Sequence, residues 1–418
     1  MGAWVGPDNP APRHKSEATS SMKRNSELYC KKTSWRGRES YTLGNGLVQL
    51  VTLTGGGHIA EFRFGESTGK PSLNPLWKPP WKTMEPYRYR PQRHASRYGP
   101  VNEGKLLSGI AGHNICLDYF GPPSEEEASQ GLSFHGEAPI SRWQKTGRRV
   151  FRNEVALELS VRLPVAGLQF RREIKLRRGE SVAYYTETVR NERRCDHFFH
   201  WTQHVTLAPP FLAPGNSVVV LPGTSGMTHP HGYDEGKALL APKRGFRWPH
   251  APARTGGTVD LSLPFTHRGL GFVVGVLLDT ERESGFVAAF NTRERLLIGY
   301  CFRRRDYPWV AIWEENQTTA GRPWRRRTRA RGLEFGTTPL PVVRREAFAT
   351  GSLLETPTFA CVPARAQKEI RYVAFLSYLP PGFDAVRDIR PGEKEIVIFG
   401  PQRKDVVRLP ASGLSNLY

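Results

Sequence analysis

Three stretches of this chain gather residue types able to move protons. In Leu132–Trp143, His135 follows a glycine-containing acidic loop and precedes Gly136, a setting that puts its ring at an exposed strand end or in a structural turn. In His197–Leu207, read as a strand, His200, Thr202 and His204 share one face and His197 lies opposite. Read as a helix, His197, His200 and His204 would form a stripe able to bind zinc. The β pattern ahead of it and Pro209-Pro210 after it argue for the strand, and the paired-histidine-plus-glutamate pattern of cupin metal sites is missing, so no metal and no cofactor are expected. In Arg331–Pro339, Glu334 stands between Leu333 and Phe335 ahead of a glycine and proline turn. A carboxylate there is costly to bury without partners, which leaves the outer face of a sheet or a cleft. A histidine and a carboxylate brought together suit general acid–base chemistry near neutral pH.

The elements that must position these residues are strands. Val48–Leu53 and Ile59–Phe64 flank Gly55-Gly56-Gly57 and predict a hairpin. Val155, Leu157, Leu159 and Val161 alternate clearly. Leu168, Phe170, Ile174 and Leu176 follow after Gly167, and a further strand starts at Val182 and ends at Asn191. Further strands are predicted at 217–221, 270–278, 285–290, 295–302, 309–313, 332–335, 371–378 and 394–399. Short strands at this spacing with glycine and proline turns mean an all-β fold, a large antiparallel β-sandwich with long loops. Helical periodicity is nearly absent, with short turns expected only within 101–116 and 384–389. The loop 74–94, carrying Trp77, Trp81, Tyr87 and Tyr89, is too rich in proline for a central strand or a helix. Loops of that length are usually functional lids or disordered.

Residues 1–35 are polar and rich in proline and serine, and are expected to form a disordered extension in which Met22 is a second candidate start. No shift of composition divides 36–418, so a single sandwich domain is expected there. Of the residues, 38% are hydrophobic and 24% charged, enough apolar mass for a large core. The net charge of +21 calls for a test against nucleic-acid binding. The basic residues are spread along the chain, however, and the runs Arg303-Arg304-Arg305 and Arg325-Arg326-Arg327 carry no zinc-finger, helix-turn-helix or RNP pattern. They read as solvated faces, and no nucleic-acid partner is expected. Five scattered cysteines make a poor disulfide framework, and reduced buried thiols in a cytoplasmic protein are expected. No run approaches the ~18 apolar residues of a membrane span, so no membrane partner is expected, and oligomeric state is not legible.

Taken in order, the motifs resemble one family. Val48–Leu53 followed by three glycines resembles the opening strands of the aldose 1-epimerase, or galactose mutarotase-like, superfamily. His135-Gly136 with Trp143 is similar to the His-Gly-Phe-Ala-Arg…Trp segment of its hexose-6-phosphate members. Glu187–Asn191 resembles the strand that closes in Val-x-Asn. Trp201-Thr202-Gln203-His204 stands in the place of the Thr-Asn-His whose histidine is the general acid. Gly332-Leu333-Glu334-Phe335 before Thr338-Pro339 resembles the stretch with the catalytic glutamate. The order holds across about 45–380. The resemblance implies Glu334 as base, His204 as acid, His135 as a sugar-binding neighbour, and Trp143 or Trp201 as a flat wall for a pyranose. The family arginine four residues after His135 is replaced by Pro139, with Arg142 the nearest stand-in. Only His113-Asn114 stands where the family has an asparagine-arginine pair, which makes Asn114 the candidate sugar contact. The ligand implied is a sugar or sugar phosphate, and the activity is interconversion of anomers. Two other readings remain open at this point: a carbohydrate-binding or differently catalytic protein on the same scaffold, and a basic protein that binds an anionic polymer.

Overall fold

The computed structural model describes residues 1–3, 28–69, 72–233 and 236–416. Most of the expected extension, Met22 included, lies outside the described residues. Its expected end at residue 35 is corrected, because Tyr29–Trp35 is a strand paired with Arg38–Gly44, with Cys30 and Trp35 buried.

Two large antiparallel sheets carry the chain. One has thirteen strands and places His113–Cys116, Thr202–Leu207, Arg329–Gly336, Trp309–Asn316 and Phe272–Leu278 side by side at its centre. The predicted hairpin Val48–Leu53 and Ile59–Phe64 lies to one side of them. The other has eight strands, with Leu296–Arg303, Gln367–Tyr378, Val182–Asn191, Leu168–Arg177 and Glu154–Leu163 adjacent in that order. Their facing side chains make one apolar core containing Leu50, Phe62, Leu157, Phe170, Phe335 and Tyr372. A three-stranded sheet of Asp388–Pro391, Glu395–Phe399 and Val406–Pro410 covers the far side of the eight-stranded sheet. Phe286, Ala288 and Phe290 face this cover, while Val287 and Ala289 face the main core, so the segment reads as a continuous apolar run.

Three expectations about helices are revised. Pro91–Tyr98 is a helix that begins at the end of the proline-rich loop, because proline at the first helical position loses no hydrogen bond. Val101–Leu107 is helical and the chain then turns into the strand His113–Cys116, whereas 384–389 has no helix and leads into the strand at Asp388. Glu125–Ser129, capped reciprocally by Ser124 and Glu127, and Arg344–Thr350 are short helices that periodicity did not reveal. The cysteines are all free, but Cys195 is exposed and Cys361 half-buried rather than in the core. No helix among the described residues is long and apolar enough to cross a membrane.

The core also holds a buried ion pair. Arg172 takes an inward position between Phe170 and Ile174, and Glu187 does the same on the next strand; neither side chain has any exposure. Arg172 Nε donates to Glu187 Oε1 at 2.6 Å, joined there by the Tyr372 hydroxyl at 3.0 Å. Trp201 Nε1 and Gln203 Nε2 donate to Oε2 at 3.1 and 2.6 Å. His113 Nε2 lies 3.0 Å from Gln203 Oε1. Arg172 Nη1 also donates to the carbonyl of Gly57 at 2.7 Å. Gly57 has φ +64°, and a Cβ there would lie 2.5 Å from the Trp143 ring, so the turn requires glycine.

Two predictions follow from this interior. Glu187→Gln leaves Arg172 as an uncompensated buried charge and is expected to cost about 3–5 kcal/mol in urea unfolding, while replacing both Arg172 and Glu187 by apolar residues recovers most of it. His58, His113 and His200 are buried, and burial lowers each to about 3, so they stay neutral in the fold. Unfolded histidines take up protons below about 6.5, so the stability these groups contribute is full above that pH and is lost as pH falls toward 3. Thermal unfolding between pH 7 and 4 is expected to show the loss.

Candidate active site

The strand Thr202–Leu207 pairs on one side with His113–Cys116 and on the other with Arg329–Gly336, in a register that aligns Asn114, His204 and Glu334 in one row. Alternation turns Gln203, Val205, Leu333 and Phe335 into the core and sends His204 and Glu334 to the opposite face. There they floor a cleft of about 510 Å³ whose walls come from the helix Val101–Leu107, the segments Phe120–Pro122 and Phe134–His135, the residues His229–Tyr233, and Trp313 and Trp324.

Nε2 of His204 is 3.1 Å from Oε1 of Glu334, but the contact is not aligned as a hydrogen bond, and Oε1 has none. Nδ1 of His204 lies 3.1 Å from the Thr206 hydroxyl. Burial pushes the Glu334 carboxyl well above the ordinary carboxylate range. Burial, with His135 beside it, holds His204 well below the ordinary histidine range. The carboxylate fits because residue 332 has no side chain: a Cβ there would come within 1.9 Å of Oε1. Across the sheet, Trp313 pairs with Gly332 and spans the gap, its ring 6.1 Å from that of His204.

His135 completes the group, its ring 4.8 Å from His204 and edge-on to it. Its backbone has φ +70°, an uncommon conformation for a non-glycine residue. The ring is held by Nδ1–H donating to the carbonyl of Phe120 at 2.6 Å and by stacking on the Phe120 ring. The neutral form thus keeps Nε2 as its free acceptor, and burial lowers the group to about 4. Phe120 is held in turn, since its N–H donates to His200 Nδ1 at 3.1 Å. His197 is paired with Asp118 at 2.9 Å. The three histidines of the second cluster therefore part company, because the strand breaks at His200.

Of the other expected contacts, Asn114 lies beside His204 in the row but is wholly buried, and neither polar atom of its amide has a partner. Trp143, Trp201 and Arg142 are corrected. Trp143 is in the core, its indole donating to the carbonyl of Ala138 and its ring under Arg172. Trp201 is in the core because it precedes the strand on the inward side, where Glu187 accepts its N–H. Arg142 is exposed and lies over Tyr87, outside the cleft lining. The aromatic wall comes instead from Trp313 and Trp324, backed by Trp77, which stacks on Trp324 at 5.8 Å, and by Trp81. Trp77 and Trp81 come from the long loop, which is thus a packed wall. Behind Trp313, its N–H donates to Tyr233, whose hydroxyl donates to Glu315. Alternation along Trp309–Asn316 puts Trp313 and Ala311 on the face opposite Val310 and Ile312, a signal present in the sequence, whereas Trp324 and Tyr233 sit in loops with no such pattern.

No protein-family model matches the chain, and no curated protein matches it by sequence. Solved structures do match it. A candidate aldose 1-epimerase from Klebsiella pneumoniae superposes with a TM-score of 0.61 at 14% identity over 86% of each chain. A galactose mutarotase-like protein from Clostridium acetobutylicum gives 0.57 at 12% identity, covering 84% of this chain and 99% of the other. A candidate aldose 1-epimerase from Escherichia coli gives 0.52 at 14% identity, covering 81% and 99%. The chain has a galactose mutarotase-like sandwich fold.

Proposed function

We propose that this protein is an aldose 1-epimerase-type isomerase that interconverts the anomers of an unphosphorylated reducing sugar. The observation that carries the reading is the His204–Glu334 pair, 3.1 Å apart on the floor of a cleft with an aromatic wall. An anomeric carbon bears two oxygens, the ring oxygen and the hydroxyl, and a pair this close can contact both at once. To open the ring, Glu334 takes the proton of the anomeric hydroxyl, the bond from the anomeric carbon to the ring oxygen breaks, and His204 gives a proton to that oxygen. Rotation of the freed aldehyde and the reverse proton transfers close the ring on its other face.

The pair needs a single proton for this cycle. Ring opening starts with that proton on His204 and ends with it on Glu334. Burial favours the second arrangement in the empty cleft, since it leaves both groups neutral. Hydrogen bonds from a bound sugar favour the first, so binding readies the reaction. The Nε2 of His135 is an acceptor for a neighbouring sugar hydroxyl, and Trp313 and Trp324 offer apolar faces to pyranose C–H groups. Among the described residues the cleft is lined by Glu103, Glu315 and Glu334 and by no lysine or arginine, which favours an uncharged sugar over a sugar phosphate.

The direct test follows anomer exchange of free hexoses by NMR or polarimetry. Wild type is expected to exceed spontaneous mutarotation, and Glu334→Gln to lose at least 100-fold of the acceleration, in line with about 10²–10⁴ for one acid–base group. A wild type that binds hexoses but never exceeds the spontaneous rate sinks the proposal. Because the raised Glu334 contributes full stability only below its unfolded value and loses it as pH rises through the folded one, Glu334→Gln is also expected to be about 1–2 kcal/mol more stable than wild type at pH 8. Gly332→Ala, which displaces the carboxylate, is expected to lower the rate at least tenfold while Glu334 is still present.

A further inference from the structure

The positive charge of this chain is not evenly matched. On the outer face of the eight-stranded sheet several cations have carboxylates, as Arg149 has Glu173, Arg171 has Glu158 and Arg371 has Glu369, though Arg190 has no ion pair among the described residues. Beside the cleft they do not. Arg93 and Arg97 lie one helical turn apart on Pro91–Tyr98, exposed, and Arg325, Arg326 and Arg327 are exposed directly after Trp324. Among the described residues, none of the five has a carboxylate in an ion pair. Like charges four apart on a helix repel one another, so an arrangement of this kind gains from a bound anion.

These two groups form one surface. The Arg322 guanidinium donates to the carbonyl of Ser96, which joins the loop to the helix. Both segments also reach the cleft: Trp324 belongs to its wall, and Pro91–Tyr98 packs on Val101–Leu107, whose Glu103, Leu106 and Leu107 line it. The loop is held in a costly shape. Arg325 and Arg326 have φ of +49° and +53°, and N–H groups of Arg325, Arg326 and Arg327 are bonded to Gly321, Thr319 and Trp324. Consecutive non-glycine residues in the left-handed region persist only where the surroundings enforce them. Here that conformation belongs to Arg325 and Arg326, two of the three exposed arginines that directly follow Trp324 of the cleft wall, and no lysine or arginine among the described residues lines the cleft itself.

We propose that this arginine collar holds an acidic oligosaccharide whose uncharged reducing-end unit occupies the cleft, with its anionic groups on the units outside. The inference rests on the sugar reading of the cleft. The charge pattern suits that ligand and no simpler one. A neutral sugar makes no use of the collar, and a polyanion charged at every unit would have to place charge beside Glu103, Glu315 and Glu334. Between an acidic glycan and RNA, the carboxylates that line the cleft favour the glycan, whose terminal unit can be uncharged where RNA carries a phosphate at every unit.

The test measures binding of the full chain to a hyaluronan hexasaccharide, which ends in an uncharged N-acetylglucosamine and carries glucuronates beyond it. Comparison ligands are cellohexaose, the same hyaluronan with its reducing end converted to the alditol, and single-stranded poly(U). Hyaluronan is expected to bind at least tenfold more tightly than cellohexaose at low salt and to lose this advantage as ionic strength rises from about 0.02 to 0.2 M. Replacing Arg325, Arg326 and Arg327 by alanine is expected to weaken it about tenfold. Arg93→Glu with Arg97→Glu, on an exposed helix face, is expected to do the same even if the loop variant folds poorly. The alditol is expected to bind more weakly than the intact chain. Equal binding of hyaluronan and cellohexaose, wild-type affinity in both variants, an alditol as tight as the parent, or tighter binding of poly(U) overturns the proposal. Anomer exchange of a free hexose is read separately, so a failure of the isomerase reading appears there and not in the dependence on salt and arginine.

Discussion

Antiparallel pairing of Thr202–Leu207 with Arg329–Gly336 sets His204 opposite Glu334, and the rest of the cleft is arranged around that pair. Side chains alternate with a period of two, so a slip of one residue would turn both groups into the core and bring Gln203 and Leu333 to the cleft. The register therefore has to be pinned. On the core side it is pinned by Gln203, which meets Tyr307, Tyr372 and His113 and also Glu187, itself held by Arg172 and by the Tyr372 hydroxyl. A buried ion pair is weak support for stability as such, and here it joins neighbouring strands through the donors that converge on Glu187.

The two faces of the same strand thus carry opposite kinds of polar chemistry. In the core both carboxylate oxygens of Glu187 have donors, while Arg172 Nη2 and His113 Nδ1 are left without partners. On the other face Glu334 Oε1, at the cleft floor, and both ends of the amide of Asn114, buried beside it, have none. Buried polar atoms in folded proteins are nearly always paired, and of those left unpaired here Glu334 Oε1 stands at the floor of the cleft, open to a ligand's donor. The strain at His135 belongs with them, because a left-handed histidine is kept only by the bonds of its ring and backbone to Phe120 and the residues around it.

Much of this was legible in the chain. Alternation locates most of the strands at the centre of both sheets, His113–Cys116 excepted, and the three proton-carrying clusters hold the residues that meet: His135, His204 and Glu334. The proline-rich loop is unusual in the sequence, but its packing is not legible there, since Trp77 and Trp81 are placed by contact with Trp324 nearly 250 residues away along the chain. The tryptophans nearest the motif residues, Trp143 and Trp201, were misplaced for the opposite reason. Nearness in sequence to a site residue says nothing about the face of the sheet, and each turns inward to a partner in the core.

What the sequence determined by itself is what short-range physics controls: period-two strands, glycine turns, and the residue types able to exchange protons. The tertiary structure alone decided which of those types come within 3.1 Å, which polar groups lose water and shift in acidity, and which wall faces them. Desolvation and charge pairing depend on every atom within a few ångströms, drawn from strands more than a hundred residues apart. No local pattern encodes them.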